Sequence, residues 1–389
     1  MKYRISGGMP ITEKGIEKKD LLIKDGRIEA LIDPSVPVSP EYKALDAAGC
    51  YVSAGFVDIH QHGGGGSDYM DCAPDTYLSA TEAHLRHGTT SVMPTLLSAG
   101  SDALLGAIKS YVAAVQDKRI RTNLIGLHIE GPYISAEQAG AQKKENIRVY
   151  DETEYKAIVK AGEGYIKRWS VAPEVEGAER FAAFAREQGI ALSIAHSNAD
   201  LETVQRAYDW GFHHVTHLYS GMSSITRRGG FRVPGVLEAA YYLDDMNVEI
   251  IADGCHLPLS LLAYVAKFKD HSRIALITDA MRAAGQDVAQ SFLGSAEDPL
   301  PVIVEDGVAK MEDRTAFAGS VATADRLVRN MVKSGVPLSE AVRMMTVNPI
   351  KMMGLDLKKG ELKPGYDADI CVFDADISIK AVLCGGKMI

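Results

Sequence analysis

Cysteine is scarce in this 389-residue chain, and its five thiols, Cys50, Cys72, Cys255, Cys371 and Cys384, form no Cys-x-x-Cys pair. An odd, widely spread set argues against a disulfide framework and fits a reducing compartment. Long apolar runs are missing too. No tract approaches the roughly 18 apolar residues that a membrane-spanning helix needs, although 46% of residues are hydrophobic. The opening MKYRISGGMPITEKGIEKKD has no apolar core of a secretory signal, so the expected location is the cytoplasm, with no membrane partner. Positive charge is in deficit: 42 Lys and Arg stand against 51 Asp and Glu, a net charge of −9. That balance disfavours nucleic acid as a partner. It still allows a small anionic ligand, because a phosphate pocket needs only a few local cations. Internal repeats and low-complexity segments are absent.

What is present divides into three stretches. From Tyr3 to about Val52 the chain reads as short strands split by turns, with an Asp25-Gly26 hairpin signal between β-prone runs. The closing stretch GELKPGYDADICVFDADISIKAVLCGGKMI reads the same way. Neither end has a helical period long enough to stand alone. The expectation is one small β-sandwich domain from both ends, residues 1–53 and 358–389, bracketing a body at 54–357.

In that body apolar runs alternate with amphipathic segments, the pattern of βαβ units on a parallel sheet. The runs are GFVDIHQH, TTSVMPTLL, NLIGLHIE, KRWSVAP, IALSIAH, HHVTHLY, NVEIIAD and RIALITD, eight in all. Helical stretches such as DALLGAIKSYVAAVQ and LETVQRAYDWG lie between them. The fold class this predicts is α/β, a (β/α)8 barrel, whose active sites sit at the C-terminal ends of the strands. The runs do end on residues suited to chemistry: His60 and His62, Glu130, His196, His217 and Asp279. Apolar strands seldom close on such groups, since a buried charge must be paired or bound to metal.

His60 and His62 stand at i and i+2, so in a strand both rings face one spot. The four glycines that follow let the chain turn sharply and leave room for a ligand. Four imidazoles and two carboxylates at one mouth suit a divalent cation of the zinc class. Glu130, His196 and His217 are best placed to hold it, and His60 with His62 completes a second position, giving one or two ions. Asp279 suits a different task. A carboxylate opposite the metal takes the proton of the attacking water and delivers it to the leaving nitrogen.

These residues lie in GFVDIHQHG, GLHIEGPYIS, SIAHSNA, VTHLYSGM, IADGCHLP, LITDAMRAAG, FAGSVATAD and TVNPIKMMGLDLKKGELKPGYDADICVFD. In order and spacing, from Gly55 to the end, they resemble the amidohydrolase superfamily and, within it, the N-acetylglucosamine-6-phosphate deacetylase family. The resemblance implies hydrolysis of the N-acetyl group of an amino-sugar 6-phosphate. It makes Glu130, His196 and His217 the main metal ligands and Asp279 the acid/base. The superfamily's bridging lysine would end the fourth strand; WSVAPE has none there, and Glu130 takes that role. For the sugar phosphate the matching positions are Ser220, Gly221, Arg232 of RVPG and His256, with Arg227 and Arg228 adding positive charge. A homodimer is implied, with an arginine of the neighbouring subunit at the phosphate.

Two departures bear on substrate identity. Ser220-Gly221 stands where family members carry Asn-Ala, and Gln142 where they carry a histidine thought to help polarise the substrate carbonyl. The loop TRRGGFRVPG is also longer than the family spacing. Competing readings are therefore a deacetylase of another N-acyl amino-sugar phosphate, such as N-acetylgalactosamine 6-phosphate, a dihydroorotase-like cyclic amidohydrolase, and a non-catalytic sugar-phosphate-binding relative. The missing fourth-strand lysine weighs against the second, and Asp279 has no use in the third.

Overall fold

The computed structural model describes residues 1–389. Eight parallel strands form the barrel: β1 Phe56–Gln61, β2 Thr89–Leu96, β3 Leu127–Glu130, β4 Ile166–Val171, β5 Ala191–Ile194, β6 Phe212–Val215, β7 Asn247–Ile250 and β8 Ile274–Leu276. Each pairs with the next in parallel. The ring closes where Gln61 meets Ala280 and the Asp279 N–H donates to His60 O at 2.9 Å. All eight strands are those expected from the apolar runs. A helix follows each one: α1 Thr76–Leu85, α2 Ser101–Val115, α3 Glu152–Ala161, α4 Ala178–Glu187, α5 Leu201–Trp210, α6 Val236–Tyr242, α7 Leu259–Phe268 and α8 Ala324–Lys333.

Local sequence explains the alternation. In α8 the buried residues Ala324, Leu327, Val328 and Met331 recur at helical spacing, so one face packs on the sheet while Arg326 and Arg329, half-buried at its margins, donate to the Asp253 and Asp376 carbonyls. The Asp200 carboxylate caps α5 by accepting from Thr203 N–H, and Gly211 ends it at φ 109°, a left-handed conformation that suits glycine. On β4, Trp169 is fully buried and packs edge-on against Phe181 of α4, with ring centroids 5.0 Å apart. Truncating a core tryptophan to alanine costs about 3–5 kcal/mol.

Both chain ends join in the small β domain. Ile370–Phe373 pairs antiparallel with Tyr51–Ala54, which leads directly into β1. A second sheet orders Arg27–Ile32, Asp20–Lys24, Lys2–Ser6 and Lys43–Asp46. Between them lies a separate core including Leu21, Ile23, Val52, Ile370 and Leu383. The Asp25-Gly26 turn is a two-residue hairpin, with φ of 49° and 81°.

Two features fall outside the expected pattern. A three-stranded antiparallel sheet, Gln290–Leu293, Leu300–Glu305 and Val308–Met311, is inserted between β8 and α8. A short hairpin, Thr226–Arg228 with Phe231–Val233, stands out beyond β6. The second comes from three-residue strands too exposed to register as alternation, while the first carries an Asp306-Gly307 hairpin turn that sequence reasoning passed over. No helix is long and apolar enough to cross a membrane.

Candidate active site

Six side chains meet at the C-terminal mouth of the barrel. His60 and His62, at the end of β1, bring their Nε2 atoms within 3.2 Å of one another. Asp279 Oδ1 lies 3.3 Å from His60 Nε2 and 3.1 Å from His62 Nε2. Glu130, the last residue of β3, sets Oε1 at 3.3 Å from His196 Nε2 and 2.9 Å from His217 Nε2, while Oε2 lies 3.5 Å from His62 Nε2. Two groups able to hold a cation result, His60/His62/Asp279 and Glu130/His196/His217. The Glu130 carboxylate lies between them.

His196, His217 and Asp279 sit two or three residues past the ends of β5, β6 and β8, not on the strands themselves. All three have left-handed backbone, with φ of 46°, 31° and 47°. Non-glycine residues rarely adopt this conformation, and such strain collects at functional sites. It turns each side chain back over the barrel axis.

The proton placement tests whether these residues suit a metal. His62 Nδ1 faces Thr95 O at 3.3 Å, His196 Nδ1 faces Gln138 O at 2.7 Å, and His217 Nδ1 faces Ser220 O at 3.2 Å. A ring that donates Nδ1–H to a carbonyl keeps its lone pair on Nε2. Those Nε2 atoms face one another and carboxylate oxygens, an arrangement that positive charge among them, from protons or from a metal ion, makes favourable. Nitrogen and oxygen donors with carbonyl-fixed tautomers are the arrangement of zinc-class sites. The residues fit such an ion.

The electrostatics agree. Burial pushes the Glu130 carboxyl up, but His60, His196 and His217 outweigh it and hold it well below the usual range. Burial likewise opposes ionisation of Asp279, yet His60 and His62 bring it down to about 2. Burial disfavours a charged His62, and Asp279 and Glu130 reverse this and push it up to about 9. The mouth is a strongly cation-attracting point.

Above these groups opens a cavity of about 220 Å³, lined among others by Gln142, Ser220, Gly221, His256 and Phe317. Gln142 donates from Nε2 to Glu130 Oε2 at 2.9 Å and accepts from Ser98 N–H at 3.0 Å, so it braces the carboxylate. Gly221 has φ 54°, and a Cβ there would lie 2.8 Å from His196 Nδ1, which leaves no room for an alanine. The His256 ring is held by Asp253, with Nδ1 2.8 Å from Oδ2, and packs against Phe317 of the inserted segment. A larger cavity of about 300 Å³ lies between the barrel and the small domain, near Ile11, Lys19 and Arg343; the glutamates that line it form no cluster able to hold a metal ion.

Three of the expected residues are not brought together with the rest. Arg227, Arg228 and Arg232 are exposed on the outer hairpin and do not line this cavity. Conversely, Arg168 of β4 and Glu249 of β7 form a buried ion pair directly beneath His60 that sequence reasoning passed over. A charge in the middle of each of the runs KRWSVAP and NVEIIAD was the signal for it.

The chain belongs to the amidohydrolase family, whose model matches residues 51–389. It is a hydrolytic enzyme acting on carbon–nitrogen bonds. Over 97% of each chain it is 31% identical to an N-acetylgalactosamine-6-phosphate deacetylase of Escherichia coli O157:H7. It is 32% identical to the N-acetylglucosamine-6-phosphate deacetylase of Bacillus subtilis strain 168, covering 97% of this chain and 94% of that one. Among solved structures it is similar to an aspartate-to-alanine variant of the Mycobacterium smegmatis N-acetyl-D-glucosamine-6-phosphate deacetylase in complex with N-acetyl-D-glucosamine-6-phosphate. The TM-score is 0.90 at 30% identity, covering 100% of this chain and 99% of that one.

Proposed function

We infer that this chain is a metal-dependent deacetylase that hydrolyses the N-acetyl group of N-acetylglucosamine 6-phosphate to glucosamine 6-phosphate and acetate. The observation that carries the reading is the placement of Asp279 against an inward-facing set of imidazoles and Glu130, within a full-length likeness to enzymes of that name. Glu130, His196 and His217 hold one divalent ion of the zinc class, and His60 and His62 with Asp279 hold a second. Such an ion polarises the amide carbonyl and makes water a better nucleophile.

The chain's own groups do the rest. Asp279, ionised at neutral pH, accepts the proton of the attacking water at its carboxylate and passes it to the amide nitrogen as the carbon–nitrogen bond breaks. Gln142 keeps Glu130 in place by donating to its Oε2, and its amide cannot supply the charge of a cationic histidine there. His256, with Nδ1 engaged by Asp253, offers Nε2 as an acceptor to a hydroxyl of the sugar phosphate, beside Ser220 and Gly221.

Arg227, Arg228 and Arg232 serve the phosphate of a neighbouring subunit in a homodimer. Arg227 stands directly opposite Arg232 across the hairpin. Like charges so placed repel, and an anion between them removes that cost, with planar guanidinium groups suited to phosphate oxygens. The enzyme acts in the cytoplasm, where phosphorylated sugars are held. Residues 1–53 with 358–389 form its small domain, and 54–357 its catalytic one.

The near-equal likeness to an N-acetylgalactosamine-6-phosphate deacetylase supports a second reading on the C4 epimer. Acetate release from both 6-phosphates and from the unphosphorylated sugars separates the two. Turnover of N-acetylglucosamine 6-phosphate is expected to be fastest, and no turnover of any phosphorylated amino sugar would sink the reading.

A further inference from the structure

His62, His196 and His217 each have a backbone carbonyl at Nδ1, whereas His60 has none. Its Nδ1 instead faces Glu249 Oε2 at 3.7 Å, with both side chains fully buried. Neither Glu249 oxygen meets the geometry of a hydrogen bond, although Arg168 Nη2 lies 2.5 Å from Oε1. Arg168 is held in turn by Thr216 Oγ1 at 2.8 Å and Ile59 O at 3.2 Å. A line of charge therefore crosses the barrel interior from β4 through β7 to β1 and ends on one imidazole.

Such a pair has no evident use in stability. Desolvating two charges costs several kcal/mol each, and apolar replacements of buried pairs are often neutral or stabilising. Nor does either residue line the substrate cavity. We propose that Arg168 and Glu249 are positioning residues for His60: they fix its proton on Nδ1, aim Nε2 at His62 and Asp279, and so decide whether the second ion binds. A carboxylate behind an imidazole makes the ring a better donor and sets its orientation. This inference rests on the two-ion reading of the site.

The test titrates metal-free protein with Zn²⁺ and counts bound ions by elemental analysis. The variants are Arg168→Met/Glu249→Leu, which removes both charges at similar volume, and the conservative Glu249→Gln, with circular dichroism reporting the folded state of each. Wild type is expected to bind two ions. Either variant should keep the first and bind the second about 10- to 100-fold more weakly. His60→Gln should do the same, and adding it to Glu249→Gln should weaken the second ion no further. Two ions bound with wild-type affinity by a folded variant would overturn the proposal, as would additive losses in the combined variant. One ion in wild type, with metal content indifferent to His60→Gln, would also overturn it while leaving hydrolysis at the other position intact. Two ions in wild type without acetate release would instead sink the substrate reading alone.

Discussion

Asp279→Asn separates proton transfer from metal binding. Asparagine keeps the shape and tolerates the left-handed backbone at φ 47°. The bonds that hold the residue, its N–H to His60 O at 2.9 Å and Ser320 N–H to its carbonyl at 2.8 Å, use backbone atoms and survive. Glu130, His196 and His217 keep all their donors, so one ion stays bound. What disappears is a carboxylate brought down to about 2, ionised throughout the neutral range and able to receive a proton. Positioned acid–base groups contribute roughly 10²–10⁴ in rate, about 3–5 kcal/mol of barrier. Acetate release is therefore expected to fall by that factor in kcat, with KM little changed and at least one ion per subunit still counted. A variant with kcat within about threefold of wild type would refute Asp279 as the proton carrier.

Chelation should abolish activity, and Zn²⁺ added back should restore it; full activity after complete metal removal would contradict the site chemistry. His84 of α1 is buried against Gly63 O at 2.9 Å, and burial brings it down to about 4. Its folded pKa lies below the unfolded 6.5, so its contribution is complete above pH 6.5 and is lost as pH falls through about 4. Denaturant melts should show about 3 kcal/mol less stability from this group at the acid end, and His84→Gln should flatten that limb. Gly131 follows Glu130 at φ 79°, and a Cβ there would lie 2.0 Å from Ser98 Oγ. Gly131→Ala should lower stability by more than about 2 kcal/mol and impair metal retention, with partial recovery on adding Ser98→Ala. Thermal melts of the single and double variants check this, and a neutral Gly131→Ala would contradict the packing.

Much of the barrel was legible because its signal is local. Val, Ile and Leu runs buried on both faces read as parallel strands without any partner in view, and amphipathic α2 and α5 read as helices. The Thr226–Val233 hairpin gave no such signal, since its short strands are exposed, whereas the inserted sheet at Gln290–Met311 carried an Asp306-Gly307 hairpin turn that sequence reasoning passed over.

The residue types at the strand ends were determined by sequence alone: two histidines two apart, then Glu130, His196, His217 and Asp279, in the order a barrel would bring round to one mouth. Only the tertiary structure decided how they meet. Left-handed backbone at His196, His217 and Asp279 turns side chains inward from beyond the strands. Carbonyls of Thr95, Gln138 and Ser220, far from or adjacent to their rings in sequence, select the tautomers. Arg168 and Glu249 lie 81 positions apart, and their pairing under His60 exists only because ring closure brings β4, β7 and β1 around one interior. Charge pairing across a barrel depends on which strands face each other, and that is a property of closure and register.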